Sequence, residues 1–366
     1  MENKLRALFA EQLSAGETFG GAAGVLRGGK VVFCESFGDE RFCEDSLYRL
    51  ASVTKIFTAS AVLQLSDAGK LSVKDPVSRY LPDFGGLCLG NLTADGRVIF
   101  AGQSPREITL FDLLTHTAGL GAEELGNREY AVMPMEEKQS LQSVTDYYAK
   151  QFHLAFAPGS RAAYSGFAGY DVLARIVETV SGESFNTYLQ THLFKPLGMT
   201  DTTFQPTEEQ YARLVPMHKR VAGEDRVVDF RGALYRGLPR TYEAGGAALI
   251  SSMPDMLRFA EMLLCGGEKD GVRVLQKETV EQMLSPALPE GLDGLSRGEN
   301  IGLGCFVISG EHRLPKGTVY SHGAYGTHLC LHRERGVAAV FLKNSLYGMS
   351  QNPPCITALQ NIVFHT

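Results

Sequence analysis

Ser52 and Lys55 stand three residues apart at the start of an apolar run, Ile56-Phe57-Thr58-Ala59-Ser60-Ala61-Val62-Leu63-Gln64-Leu65. On a helix, residues i and i+3 share a face, so the hydroxyl and the amine can meet. A lysine at the N-terminal end of a buried helix faces the positive end of the helix dipole and loses solvation. Both effects favour its neutral form. A neutral Lys55 could take a proton from Ser52, and the N–H groups at the helix start could hold the oxyanion of an attacked carbonyl. This is the S-x-x-K nucleophile arrangement. The same residues also read as a helix N-cap serine followed by a surface lysine.

A serine–lysine pair needs a group that protonates the leaving group and partners that hold the lysine. The segment Pro158-Gly159-Ser160-Arg161-Ala162-Ala163-Tyr164-Ser165-Gly166 reads as a turn and a short extended piece entering a helix. Tyr164 at that junction can point its phenol into a cleft or pack between layers. The segment Val319-Tyr320-Ser321-His322-Gly323-Ala324-Tyr325-Gly326-Thr327-His328 puts small residues on an edge strand, where a substrate backbone can approach closely. His322 there can hydrogen-bond near the attacked carbonyl or serve a structural role. His116, in Leu113-Leu114-Thr115-His116-Thr117, reads as structural, satisfying backbone groups after an apolar turn.

The elements that must position these residues follow from patterning. Leu5, Leu8, Phe9 and Leu13 have helical spacing in an N-terminal amphipathic segment with acids and no continuous apolar core, unlike a signal peptide. Extended runs Ala22–Leu26 and Val31–Phe37 flank Gly28-Gly29, a tight hairpin. The helix from Ser52 stops at Gly69. Helices follow over Gln142–Gln151, Phe167–Val180 and Phe185–Phe194, while 85–107 and 119–139 read as long loops. Strands return at Ala247–Ser251, Gly302–Ser309, Thr318–His322, Thr327–His332 and Val337–Lys343, with a helix opened by Pro254-Asp255 and a last one through Ile356–Val363. The pattern is α+β: an antiparallel sheet from residues 1–66 and 242–366, flanked by terminal helices, with a mostly helical insertion at 67–241.

Bulk properties narrow the functional classes. The 366 residues are 44% hydrophobic and 21% charged, enough for a large core. A net charge of -6 and a pI near 5.9 argue against nucleic acid or an anionic membrane as partner, and no stretch is long and apolar enough for a bilayer span. The seven cysteines are odd in number and scattered without C-x-x-C pairs, as in a reduced, cytoplasmic protein.

In this order, the three site segments resemble those of the serine hydrolases that include class C β-lactamases, DD-peptidases and β-lactamase-like esterases. So do Ile108-Thr109-Leu110-Phe111-Asp112-Leu113-Leu114-Thr115-His116-Thr117-Ala118-Gly119-Leu120, Phe194-Lys195-Pro196-Leu197-Gly198-Met199-Thr200, and Ala244-Gly245-Gly246 leading to Met253-Pro254-Asp255. The resemblance runs from about residue 20 to 345. It implies a β-lactamase/transpeptidase-like fold, with Ser52 as nucleophile, Lys55 as its lysine partner and Tyr164 as acid/base. It also implies an acyl-Ser52 intermediate and no metal or organic cofactor. The Ser52 N–H and a third-motif N–H would stabilise the oxyanion.

Two departures bear on the substrate. The family's Tyr-x-Asn is Tyr164-Ser165-Gly166 here, which removes a polar anchor worth on the order of 1–3 kcal/mol for peptide-like and β-lactam substrates. Esterase relatives tolerate such changes. The usual Lys-Thr-Gly or His-x-Gly aligns as Ser321-His322-Gly323, placing the oxyanion N–H at Ala324, or as His322-Gly323-Ala324, placing it at Tyr325. Either way this strand has no lysine, so a fixed positive charge for a substrate carboxylate must come from elsewhere. The expectation is a serine hydrolase of small esters or amides. Alternatives are a true β-lactamase or DD-peptidase, acyl transfer to another acceptor, and a retired enzyme serving as a binding module. A zinc site at His328, Cys330 and His332 is a further alternative, since the three alternate on one strand face.

Overall fold

Two segments near the start of the chain and five near its end pair into one sheet. They are β1 (Gly20–Arg27), β2 (Lys30–Gly38), β3 (Glu299–Ile301), β4 (Phe306–Ile308), β5 (Val319–His322), β6 (His328–His332) and β7 (Val337–Leu342). The sheet order is β3-β4-β5-β6-β7-β1-β2, antiparallel at every step. The two ends of the chain meet where β1 pairs with β7, from Ala22 opposite Leu342 to Arg27 opposite Val337. The computed structural model describes residues 1–15, 18–221, 224–228, 237–346 and 354–365.

The principal helices in chain order are α1 (Glu2–Ser14), α2 (Thr54–Asp67), α3 (Leu110–Leu114), α4 (Glu123–Val132), α5 (Leu141–Gln151), α6 (Ala168–Ser181), α7 (Met253–Leu264) and α8 (Pro354–His365). Strand alternation sends successive side chains to opposite faces of the sheet. On one face, Ala23, Val25, Phe33 and Phe341 pack with Leu5, Leu8 and Phe9 of α1 and with Ile356, Leu359 and Val363 of α8. On the other, Ala22, Val319, Leu329 and Val340 join a core shared with α2, α6 and α7. α2 is buried almost all round, from Thr54 to Leu63, as its uniformly apolar sequence requires. No helix among the described residues is long and apolar enough to cross a membrane.

The two stretches read as loops contain regular structure. Cys88–Leu92 and Val98–Gln103 form a hairpin around Gly96, whose φ of 78° suits the turn. Its Ile99 and Phe100 are exposed, so the alternation that marks a half-buried strand is missing. α4 starts after Ala122 without a side-chain cap, which removes the usual sequence signal for a helix start. The run expected at Ala247–Ser251 is a short strand, Ile250–Ser252, paired with Leu47–Arg49 outside the main sheet. β3 and the hairpin Met217–Val221/Glu224–Val228 were not anticipated, and each of these strands is at most five residues long.

α3 orients the loop that follows it. Thr109 and Asp112 form a reciprocal capping box. The buried Asp112 carboxylate also takes two hydrogen bonds from Arg106, at 2.6 and 2.8 Å, and one from the Thr117 hydroxyl at 3.2 Å. Burial would raise this carboxyl, but Arg106 and Thr109 hold it below its ordinary value. Asp112→Ala leaves Arg106 and the capped N–H groups unpaired and is expected to cost about 3 kcal/mol of stability, read from the urea midpoint.

Candidate active site

The backbone delivers Ser52 on a strained turn. Ala51 has φ of 48°, a left-handed conformation costly for a residue with a Cβ. Ala51–Val53 form one 3-10 turn, and α2 proper begins at Thr54 with no side-chain cap. Ser52 is therefore not engaged as a helix cap. The turn is held from both sides: Leu50 N–H donates to Leu249 O at 2.9 Å, and the Thr327 hydroxyl donates to Leu50 O at 2.7 Å. Gly323 packs against it so closely that a Cβ there would lie 2.3 Å from Leu50 O.

Lys55 is 3% exposed, the opposite of a surface lysine. Its Nζ donates to Gly166 O at 2.7 Å and Gly246 O at 2.8 Å, and lies 3.5 Å from Ser52 Oγ, at the outer limit of a hydrogen bond. Burial pushes its pKa down to about 7, against the opposing field of Asp171. The Gly245-Gly246 segment is fixed in turn by the Thr58 hydroxyl, which donates to Gly245 O at 2.6 Å. Asp171, fully buried on α6, accepts from the hydroxyls of Tyr148 at 3.0 Å and Tyr242 at 2.5 Å, and burial raises its pKa to about 6. An aspartate between Tyr170 and Val172 on the apolar face of a helix is the one sequence signal that could have pointed to it.

Tyr164 borders the same narrow cavity as Ser52 and Lys55. Its ring is 42% exposed along the wall of the cleft, yet the hydroxyl end is enclosed, and burial pushes the phenol up to about 12 against the effect of Ser52. The Lys55 ammonium sits 5.0 Å from the ring centroid. His116 packs on the same ring at 4.7 Å between centroids, and its Nδ1 accepts the Ser165 N–H at 3.2 Å. With φ of 57° and its carbonyl accepting from Ala163 N–H, His116 acts as scaffold beneath the Tyr164 segment.

β5 lies alongside. Strand alternation puts Ser321 on the face of Val319, toward α2, while His322 follows Tyr320 and packs on Phe306 at 5.5 Å. Burial lowers the His322 pKa, and its buried Nδ1 has no hydrogen-bond partner among the described residues. Ser52, Lys55, His116, Tyr164, Ser321 and His322 nevertheless border one narrow cavity. The Gly323 N–H is taken by Thr327 O at 2.8 Å. Ala324 lines a larger cavity beside Ser52, whereas the Tyr325 side chain is fully buried. That cavity of about 600 Å³ is walled by Tyr130, Phe152, Phe167 and Leu238, with Asn127 and Lys138 among its polar groups. Gly166 opens onto it, and a Cβ there would meet nothing within 4 Å.

His328, Cys330 and His332 are each engaged with separate partners. His328 Nε2 contacts the Gln360 amide at 2.9 Å, the His332 Nε2–H donates to Lys316 O at 3.0 Å, and Cys330 Sγ leans on Ala339 O at 3.7 Å. Sharing a strand face is not convergence. No cluster of three or more potential ligands occurs among the described residues. Cys34, Cys43, Cys88, Cys265, Cys305 and Cys330 carry free thiols.

A sheet closed by both chain ends, with a serine and a lysine at the start of a buried helix, is the arrangement of the β-lactamase and transpeptidase class. A model of the family described as Beta-lactamase matches residues 5–363, and the chain belongs to that family. Protein Rv1367c of Mycobacterium tuberculosis is 34% identical over 253 residues, 67% of this chain and 61% of that protein, so the match spans about three fifths of its length. Esterase EstB of Burkholderia gladioli is 29% identical over 398 residues, covering 99% of this chain and 94% of EstB. Among solved structures, EstCE1, "a hydrolase with promiscuous acyltransferase activity", superposes with a TM-score of 0.82 over 99% of this chain and 98% of its own. At 24% identity this likeness speaks for the fold.

Burial pushes His116 down to about 3, with Lys55 adding to the effect, so the imidazole is expected to stay neutral throughout the working range. Its ring resonances in NMR should hold constant from pH 8 to pH 5. A titration midpoint between 5 and 7 would contradict the scaffold assignment.

Proposed function

We propose that the chain is a serine hydrolase working through an acyl-Ser52 intermediate, with small esters as its preferred substrates. The observation that carries this reading is the buried amine of Lys55, which has two backbone carbonyls for partners and a pKa near 7 beside Ser52. A lysine so placed accepts a proton at neutral pH, whereas a phenol near 12 does not ionise there. Ser52 attacks the carbonyl and its proton passes to Lys55. Tyr164, on the same cavity wall, relays that proton from Lys55 to the leaving alkoxide. Water then attacks the acyl-Ser52; its proton passes through Tyr164 to Ser52 Oγ as the Oγ–acyl bond breaks and the carboxylic acid leaves. The Ser52 and Ala324 N–H groups hold the oxyanion, with Ser321, His322 and Gly323 forming the strand wall beside it. The chemistry calls on no cofactor.

Gly166 favours esters. Its carbonyl holds Lys55, but residue 166 itself brings no side-chain amide to grip a substrate amide. The likeness to esterase EstB over nearly the whole of both chains supports the same preference. We also propose the division into a sheet unit, 1–66 with 242–366, and an inserted unit, 67–241, with the site between them.

Parallel assays with p-nitrophenyl butyrate and nitrocefin test the reading. Ser52→Ala should lower ester turnover by about 10⁴-fold or more and abolish labelling by a fluorophosphonate. Strong nitrocefin cleavage by the wild type would instead favour a β-lactamase, and absence of both turnover and labelling a binding module.

Because protonated Lys55 cannot act as base, kcat/KM should rise with pH through a midpoint near 7. A flat profile between pH 5 and 8 would remove Lys55 from that role. Gly166→Asn, which restores an amide at the cleft, should raise the nitrocefin-to-butyrate ratio about tenfold.

A further inference from the structure

Resting on the reading of Ser52 as an ester-cleaving nucleophile, we propose that Lys138 is an anion-recognition residue and that the preferred ester carries a separate carboxylate. Lys138 is 7% exposed and lines the same cavity as Ser52. Its Nζ makes one hydrogen bond, to Tyr130 O at 3.1 Å, and lies 4.3 Å from the centroid of the Tyr130 ring. An ammonium has three donors, and no carboxylate pairs with this one among the described residues. Burial lowers its pKa, the mark of a charge short of solvation, and an arriving anion would relieve that strain.

The other charge on the cavity wall is spent. Glu123 is paired with Arg161 at 2.7 Å, which leaves Lys138 as the lining charge without a counter-ion among the described residues. Asn127 is four residues from Glu123 and three from Tyr130 on α4, and adds a neutral donor to the same wall. One ammonium and one amide suit a singly charged carboxylate. A phosphate dianion calls for more cationic donors. The Tyr130 ring, stacked on Phe167 at 4.6 Å and 5°, ties this wall to the segment that carries Tyr164 and Gly166. The positive charge that β5 lacks is thus supplied from the segment after α4.

The competing role for Lys138 is structural, since Tyr130 O belongs to the last turns of α4 and a cation there favours the helix dipole. The two roles part in a comparison of p-nitrophenyl butyrate with the mono-p-nitrophenyl ester of glutaric acid. The wild type should prefer the half-ester in kcat/KM, mainly through KM, and added salt should erode that preference. Lys138→Met should lower the half-ester-to-butyrate ratio at least tenfold, while Lys138→Arg retains most of it. An unchanged ratio in Lys138→Met, or no wild-type preference, overturns the proposal. Calorimetric titration of glutarate into the wild type and Lys138→Met separates the two levels. Binding that needs Lys138 without ester turnover would sustain the anion site and refute the hydrolase reading. Butyrate turnover without glutarate binding would do the reverse.

Discussion

The site depends on one constraint: a lysine amine enclosed by protein with no carboxylate in direct contact. Two backbone carbonyls, from Gly166 and Gly246, replace the water that Lys55 has lost. Carbonyl dipoles compensate an ammonium only in part, so the proton is held weakly and the amine is poised near neutrality. Much of the surrounding architecture can be traced to keeping those acceptors in place. The Thr58 hydroxyl fixes the segment that bears Gly246. α6 follows directly from the segment that bears Gly166, and the clasp of Tyr148 and Tyr242 on Asp171 anchors α6 to its neighbours. Asp171 acts at a distance: it keeps a negative field near Lys55 without forming an ion pair that would lock the proton on.

A second constraint is steric. Ser52 is presented by a residue in a left-handed conformation, and Gly323 comes so near that no side chain fits between the strand and the nucleophile turn. Strain at Ala51 is balanced by the bonds that Leu50 makes on both sides. The proposed nucleophile and oxyanion donors are therefore positioned by backbone against backbone, which tolerates little displacement. The larger cavity is different in kind: it is walled by side chains from α4, the segment after it and the 164–168 stretch.

The sequence was most legible where one residue's pattern repeats along an element. The apolar run of β1 beside the Gly28-Gly29 turn and the helical spacing of Leu5, Leu8 and Phe9 announced a hairpin and a helix. Ser52, Lys55 and Tyr164 each had an ordinary structural reading, and were singled out by the order of their motifs and the family resemblance those motifs carry. What stayed hidden lacked a local signature. The 88–103 hairpin carries exposed Ile99 and Phe100, and α4 has no cap. The third-motif register could not be read from letters, because a one-residue slip exchanges the strand's two faces. In the structure Ser321 faces α2 with Val319, and Ala324 borders the cavity beside Ser52. His116 and Lys138 gain their meaning only from partners 48 and eight residues away: the Tyr164 ring and the Tyr130 carbonyl.

The pairing of β1 with β7 carries a consequence for how the molecule is made. The strand that sits between β2 and β7 is synthesised within the first 27 residues, but its second neighbour ends at Leu342. At ribosomal speeds of about 5–20 residues per second, β1 waits tens of seconds with one edge open. Its apolar side chains, Ala22 and Leu26 on one face and Ala23 and Val25 on the other, wait for core partners from the later part of the chain. Such long-range closure makes for slow folding and an interval of exposure to association. During that interval the nascent β1–β2 hairpin is the segment a chaperone would be expected to guard.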